Sequence, residues 1–272
     1  MTFTLPQNEH EFLVILVPLL TLLLGIAFLI VPQRMLGFMR LEAVTGRPEA
    51  IGEGRSSFAG VLLAVALGCL LLQDPIALQP GLNFMLAIGW TIAALGRLVQ
   101  MLFDGGLSFK HIQARFFVSL VLAALAWNAT EFPYMACFES FRAGCGLPVD
   151  ASEWFLTLVA LLTVSLGVIA LFLPGLALKI LRLQPIADAP FAMGETRGTL
   201  AGFYMAIGAV YLLMPQPIEF VALVMGAAWL LTGAGRIVSM FFDRGWTVFN
   251  VLGTVFEVGI GLLVVMIVLG II

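Results

Sequence analysis

The sequence predicts an all-α, polytopic membrane protein with eight transmembrane helices arranged as two parallel four-helix repeats. Three observations predict it. Apolar residues make up 61% of the chain and charged residues 11%, whereas soluble domains run near 45–50% and about 25%. So few charges cannot cover a water-facing surface. Eight apolar segments approach the roughly 20 residues that a membrane helix needs. And the second half of the chain restates the first.

The eight segments are 12–31, 55–73, 84–103, 109–127, 154–173, 197–214, 220–242 and 248–271. The start, "MTFTLPQNEHEF", has no Lys or Arg before the first apolar run. It lacks the basic n-region and small-residue cleavage site of a signal peptide. Residues 12–31 therefore read as a retained helix.

The restatement is visible residue by residue. At an offset of 142, Gly25 matches Gly167, Pro32 matches Pro174, and Arg40-Leu41 matches Arg182-Leu183. "GEGRSSFAG" (52–60) matches "GETRGTLAG" (194–202). The offset then becomes 139, so that Trp90 matches Trp229 and "GRLVQMLFDGG" (96–106) matches "GRIVSMFFDRG" (235–245). This divides the chain into a first unit at 1–128, an external connector at 129–153 and a second unit at 154–272. Four helices per unit give both units the same orientation in the membrane.

Lys and Arg set that orientation. Twelve of them gather on one side: Arg34, Arg40, Arg47, Arg55, Arg97, Lys110, Arg115, Lys179, Arg182, Arg197, Arg236 and Arg244. The other side has Arg142. The basic side reads as cytoplasmic, with both termini outside. On the outer side, "CFESFRAGC" carries Cys137 and Cys145, which are placed to form a disulfide in an oxidising compartment. Unlinked thiols are the alternative.

Two charged motifs recur in each half. Gly52-Glu53-x-Arg55 and Gly194-Glu195-x-Arg197 open a second helix; Gly96-Arg97 with Asp104, and Gly235-Arg236 with Asp243, close a third. Residues seven apart share a helix face, so Trp90, Arg97 and Asp104 form a stripe, as do Trp229, Arg236 and Asp243. Each Arg lies roughly 10 Å deeper than its Asp. An arginine at that depth costs at least ~2.5 kcal/mol unless it snorkels or is paired.

Consecutive helices are usually neighbours, so the motifs are expected to meet within each half: Glu53 with Arg97, Arg55 with Asp104, Glu195 with Arg236, Arg197 with Asp243. Small residues at Gly52, Ser56 and Gly60, and at Gly194, Gly198 and Gly202, allow close backbone approach. Glu257, deep in the last apolar run, matches Val118 at the 139 offset. The first half instead has Lys110, His111, Gln113 and Arg115 near the start of its last helix. An intramembrane acid is a functional candidate by default; a third partner for Arg236 is the competing reading.

"GExRxxxAG" followed by "GRxVxMxFDxG" resembles a bacterial four-helix membrane family, the domain of unknown function 4345. The likeness spans both halves, as a tandem copy, with a more distant similarity to DoxX-like proteins. The resemblance implies the fold and a bacterial inner membrane. Its motif maps to Glu53, Arg55, Gly60, Gly96, Arg97 and Asp104, and to Glu195, Arg197, Gly202, Gly235, Arg236 and Asp243. It also implies a glutamate in the last helix, which Glu257 fits and Val118 does not. It implies no activity.

Several chemistries lack their residues. The two histidines, His10 and His111, lie near opposite faces and do not suit heme. No Cys/His spacing suits zinc, and there is no phosphate loop or assignable catalytic triad. No cofactor and no metal is expected, and catalysis is not the favoured reading. A net charge of −3 argues against nucleic acid. The expected partner is the lipid bilayer. Four functional readings follow, the last of them an enzyme acting on a membrane lipid. One is a binding or accessory membrane protein that holds a lipid or quinone-like ligand, with Arg97 or Arg236 at its head and Trp90 and Trp229 along its tail. The second is a structural or assembly partner of another membrane protein, with closed ion pairs. The third is a small-solute or proton-coupled transporter that uses Glu257.

Overall fold

In the computed structural model, residues 9–72, 80–103, 110–130, 148, 150–186, 189, 192–213, 219–243 and 245–272 are described. Among them the chain forms α1 (Glu9–Ile30), α2 (Pro32–Phe38), β1 (Leu41–Ala43), a 3-10 turn (Pro48–Ile51) and a π-helical turn (Gly54–Phe58) leading into α3 (Ala59–Leu71). Next come α4 (Pro80–Phe103), α5 (Lys110–Asn128), α6 (Ala151–Phe172), α7 (Pro174–Ile180) and β2 (Leu183–Pro185). The chain closes with α8 (Met193–Glu195), a second π-turn (Thr196–Leu200), α9 (Ala201–Leu213), α10 (Glu219–Phe242) and α11 (Val248–Val268).

Six stretches are long and apolar enough to cross a membrane: Glu11–Ile30, Glu49–Leu71, Leu82–Phe103, Ala151–Phe172, Glu219–Phe242 and Val248–Val268. The protein is therefore a multi-pass integral membrane protein. The two other expected spans are helical but shorter by the same measure: Gln113–Asn128 within α5, and α9, whose 13 residues follow the π-turn. Lipid-facing surface is plain on α11, where Val248, Leu252 and Val255 are more than 60% exposed.

Prolines and caps place the breaks. The residue before proline is disfavoured in the α conformation. Val31 and Leu173 accordingly leave the helix, at ψ 55 and ψ 56, and Pro32 and Pro174 restart it. Asp150 caps α6 by accepting from Glu153 N at 2.8 Å. Thr247 caps α11 by accepting from Asn250 N at 3.2 Å.

After each short proline-led helix the chain turns back through an arginine at positive φ, Arg40 at 60° and Arg182 at 56°. The two strands that follow pair antiparallel, with Glu42 opposite Gln184. The arginine carbonyls extend the ladder, accepting from Ile186 N and Val44 N. The left-handed region costs a non-glycine residue about 1 kcal/mol. Arg40 is exposed. Arg182 donates to Glu49 Oε1 at 3.0 Å and stacks on Phe249 at 3.9 Å. Arg40→Gly should therefore leave the thermal midpoint in detergent unchanged or slightly raised, whereas Arg182→Gly should lower it.

Helix packing differs from the expected neighbour order. α3 packs on α1 and on α10; α9 packs on α6 and on α4. Helices 2 and 3 of the same half, α3 and α4, touch only slightly. Small residues explain the choice. A Cβ at Gly60 would collide with Thr232, and one at Gly52 with Ser239, both on α10. A Cβ at Gly202 would collide with Gly89 O, and one at Gly198 with Ala93 O and Arg97, all on α4. The small-residue edges do provide close approach, but to helices of the other half. The closest contacts are reciprocal: Gly235 lies against the Arg55 carbonyl, and Gly96 against that of Arg197. Neither backbone can move aside alone. Gly235→Ala and Gly96→Ala should each cost about 1–3 kcal/mol as overpacking, read as a lowered unfolding midpoint in mixed micelles.

Candidate functional site

The crossed packing carries the charged motifs with it. Glu53 lies at the start of the first π-turn, whose wide i→i+5 winding is frequent at functional sites. Ser56 Oγ and Ser57 Oγ donate to Glu53 Oε2 at 3.2 and 2.8 Å. Its principal partner is Arg236 on α10: Nη1 donates to Oε1 at 2.5 Å and Nη2 to Oε2 at 3.2 Å. On its other edge Arg236 grips Glu257 of α11, with Nε to Oε2 at 3.0 Å and Nη2 to Oε1 at 2.7 Å. Asn250 Oδ1 accepts from Nη1 at 3.3 Å.

A second cluster centres on Arg97 of α4. Nε and Nη2 donate to Glu195 at 3.4 and 2.8 Å. Nη1 donates to Ala93 O and to Ser119 Oγ, both at 2.9 Å, and Nη2 to Thr199 Oγ1 at 2.8 Å. Arg115 of α5 adds a second guanidinium to Glu195 Oε1 at 2.8 Å. Arg115 also stacks on Phe38 and donates to the Phe38 carbonyl.

The outer pairs cross in the same way. Arg55 holds Asp243 with a fork, Nε to Oδ2 at 2.7 Å and Nη2 to Oδ1 at 3.3 Å, and also donates to Leu29 O. Arg197 Nη1 donates to Gln100 Oε1 at 3.0 Å.

These contacts correct the expected pairing. Glu53 holds Arg236, not Arg97. Glu195 holds Arg97, not Arg236. Asp243 holds Arg55, not Arg197. The partner expected for Arg55, Asp104, lies outside the described residues. So do Cys137 and Cys145; the described cysteine, Cys69, is a buried free thiol. The physical reason is the exchange of neighbours: α3 meets α10, and α9 meets α4.

The register of the last helices is corrected too. Val118 is 57% exposed, and Ser119 takes the place against Arg97 that Glu257 takes against Arg236. The buried positions Ser119, Ala123 and Ala126 on α5 correspond to Glu257, Gly261 and Val264 on α11. That is an offset of 138. Six residues separate α4 from α5 and five separate α10 from α11, so one residue of loop length moves the helix face.

The tryptophans are packing elements. Trp90 Nε1 donates to Thr21 Oγ1 at 3.1 Å, and its ring meets Phe203 edge-on. Trp229 Nε1 donates to Thr163 Oγ1 at 3.1 Å, and its ring meets Phe256 edge-on. Both are buried. A surface cleft of about 460 Å³ lies elsewhere, beside α2 and β1, among Gln33, Leu36, Leu41, Val44, Ile51 and Ile186. Among the described residues, no three His, Cys, Asp or Glu side chains gather as a metal site.

Sequence reasoning missed Ser57, Gln100, Ser119, Thr199 and Asn250. Each is a polar side chain on a buried helix face, at a helical spacing from a motif residue. Arg115 was legible as part of a basic entrance, but not as a second hold on Glu195.

Residues 151–268 match a family described as Domain of unknown function (DUF4345). The match falls on the C-terminal part of the chain. The likeness expected over residues 1–128, and the DoxX-like similarity, reach beyond it. No curated protein and no solved structure gives a significant match.

Proposed function

We propose that the chain is a structural or assembly partner within a bacterial inner membrane, locked by crossed ion pairs, and not a binder of lipid or quinone head groups through its arginines. One observation carries this reading. A guanidinium has five N–H donors. Arg97 spends its five on Glu195, Ala93, Ser119 and Thr199. Arg236 spends its five on Glu53, Glu257 and Asn250. Neither has a donor left for a ligand, and the tryptophans beside them are packed against the protein.

The same reading takes the chain as a duplicated four-helix unit, with α5 and the stretch 193–213 completing eight crossings. Support comes from paired features: two seven-residue helices opened by proline, two arginines at positive φ, two five-residue π-turns. The basic side faces the cytoplasm in this reading, and both termini face the periplasm.

Native mass spectrometry of the full-length protein released from nanodiscs tests it. The expected spectrum shows no stoichiometric small molecule, and Arg97→Gln lowers the unfolding midpoint. A stoichiometric lipid or quinone, lost in Arg97→Gln without loss of stability, would overturn the reading.

A further inference from the structure

The two arginine clusters use similar parts and reach opposite charge. Arg97, Glu195 and Arg115 sum to +1; Glu53, Arg236 and Glu257 sum to −1. Their exposure differs. The positive excess rests on Arg115, whose side chain is 17% exposed. The negative excess rests on a triad whose side chains are 4%, 6% and 9% exposed for Glu53, Arg236 and Glu257. Water can screen the first and hardly reaches the second. An uncompensated charge in a dry interior is normally removed by a change of protonation.

Among the described residues, the nearest arginines outside the triad have carboxylate partners, and Glu49 is also approached by Arg47 at 3.7 Å. Arg55 is held by Asp243, and Arg182 by Glu49. From α9, Tyr204 lies within electrostatic reach of both glutamates. From α11 the triad meets the neutral Asn250.

We propose that the Glu53–Arg236–Glu257 triad is a proton-binding site that holds one proton, on Glu257, while the surface carboxylates of the chain are ionised. The donor count places the proton. Glu53 accepts from Arg236 Nη1 and Nη2 and from two serine hydroxyls. Among the described residues, Glu257 accepts from Arg236 Nε and Nη2 alone. Hydrogen bonds to the charged form favour that form, so Glu53 keeps the charge. A metal cation fits the site poorly. Hard cations take six or more oxygen ligands, and the guanidinium already occupies both oxygens of each carboxylate.

A second feature points to a proton route. Ser239 is fully buried, and its hydroxyl has no hydrogen-bond partner among the described residues. It lies three residues along α10 from Arg236, against Gly52 and near Asn250 Nδ2. Four residues further on is Asp243, in the partly exposed pair with Arg55. Residues 236, 239 and 243 share one helix face and lead from the triad to water, which supplies the proton.

The proposal deepens the closed-lock reading and rests on it, but its test is separate. Infrared difference spectra of the full-length protein in nanodiscs read the carboxylic-acid C=O stretch directly. The expected wild-type spectrum shows one deuterium-sensitive acid band at neutral pH. Glu257→Gln should remove it. Glu53→Gln should remove it as well, because Glu257 then has Arg236 to itself and ionises. Absence of the band in wild type overturns the proposal, as does survival in Glu257→Gln. Survival in Glu53→Gln overturns it too, since burial of Glu257 alone would then hold the proton. Loss of the band on adding sodium would make it a cation site and sink it equally. Because Glu53→Gln is read independently, a folding failure of Glu257→Gln leaves the test intact. A copurifying quinone would end the assembly reading without touching the band.

Discussion

Arg236→Gln should be among the most destabilising single substitutions in this protein, lowering stability by about 3–5 kcal/mol, the range for leaving a buried charge without its partner. Two carboxylates face Arg236, and one cation serves both. A glutamine keeps some hydrogen bonds but no charge, so the pocket passes from neutral to −1 with the proton on Glu257, and from −1 to −2 with both carboxyls ionised. Asn250 Nδ2 cannot compensate, since it donates to Gly245 O at 2.8 Å. The loss should shrink on acidification, as both carboxyls become neutral. It should also shrink in the triple variant Arg236→Gln, Glu53→Gln, Glu257→Gln, which removes the charges together. Unfolding in mixed micelles at two pH values reads both effects. A deficit independent of pH, and unrelieved in the triple variant, would mean that Arg236 acts through packing alone.

Such effects depend on which residues meet, and that was the part of the protein the sequence concealed. Helix positions were legible because apolar runs are long and proline and motif boundaries are sharp. Depth was legible from the seven-residue spacing of Trp90, Arg97 and Asp104. Partner choice was not, because "GEGR" at 52–55 and "GETR" at 194–197 offer nearly the same chemistry to either arginine. The decision lies in shape: Gly60 fits under Thr232, and Gly202 under Gly89. The role of Ser119 was concealed by one residue of loop length. The short strands and the positive-φ arginines carry no propensity signal, because pairing between distant segments holds them. Both charged centres thereby join residues far apart in sequence, and each depends on the two halves remaining together.

Glu195→Gln is the counter-experiment, and it should cost as much as Arg236→Gln but behave differently with pH. Glu195 is the shared carboxylate of Arg97 and Arg115. Its loss takes that cluster from +1 to +2, with Arg97 fully buried. A guanidinium cannot shed its proton in a protein, so the cluster has no means of neutralising itself. The expected loss is about 3–5 kcal/mol, and acidification should not relieve it. Glu257→Gln, also the removal of one buried glutamate, should by contrast be mild, because a neutral glutamine replaces a carboxyl that already holds a proton and leaves Glu53 on Arg236. Ser119→Asp should partly rescue Glu195→Gln, since the Ser119 hydroxyl already sits 2.9 Å from Arg97 Nη1. Equal losses for Glu195→Gln and Glu257→Gln would show that hydrogen-bond count, not charge balance, sets the stability of the two centres. An unequal pair would show that the protein tolerates opposite excess charge in its halves for different reasons: one is screened at the surface through Arg115, the other is discharged inside by a proton.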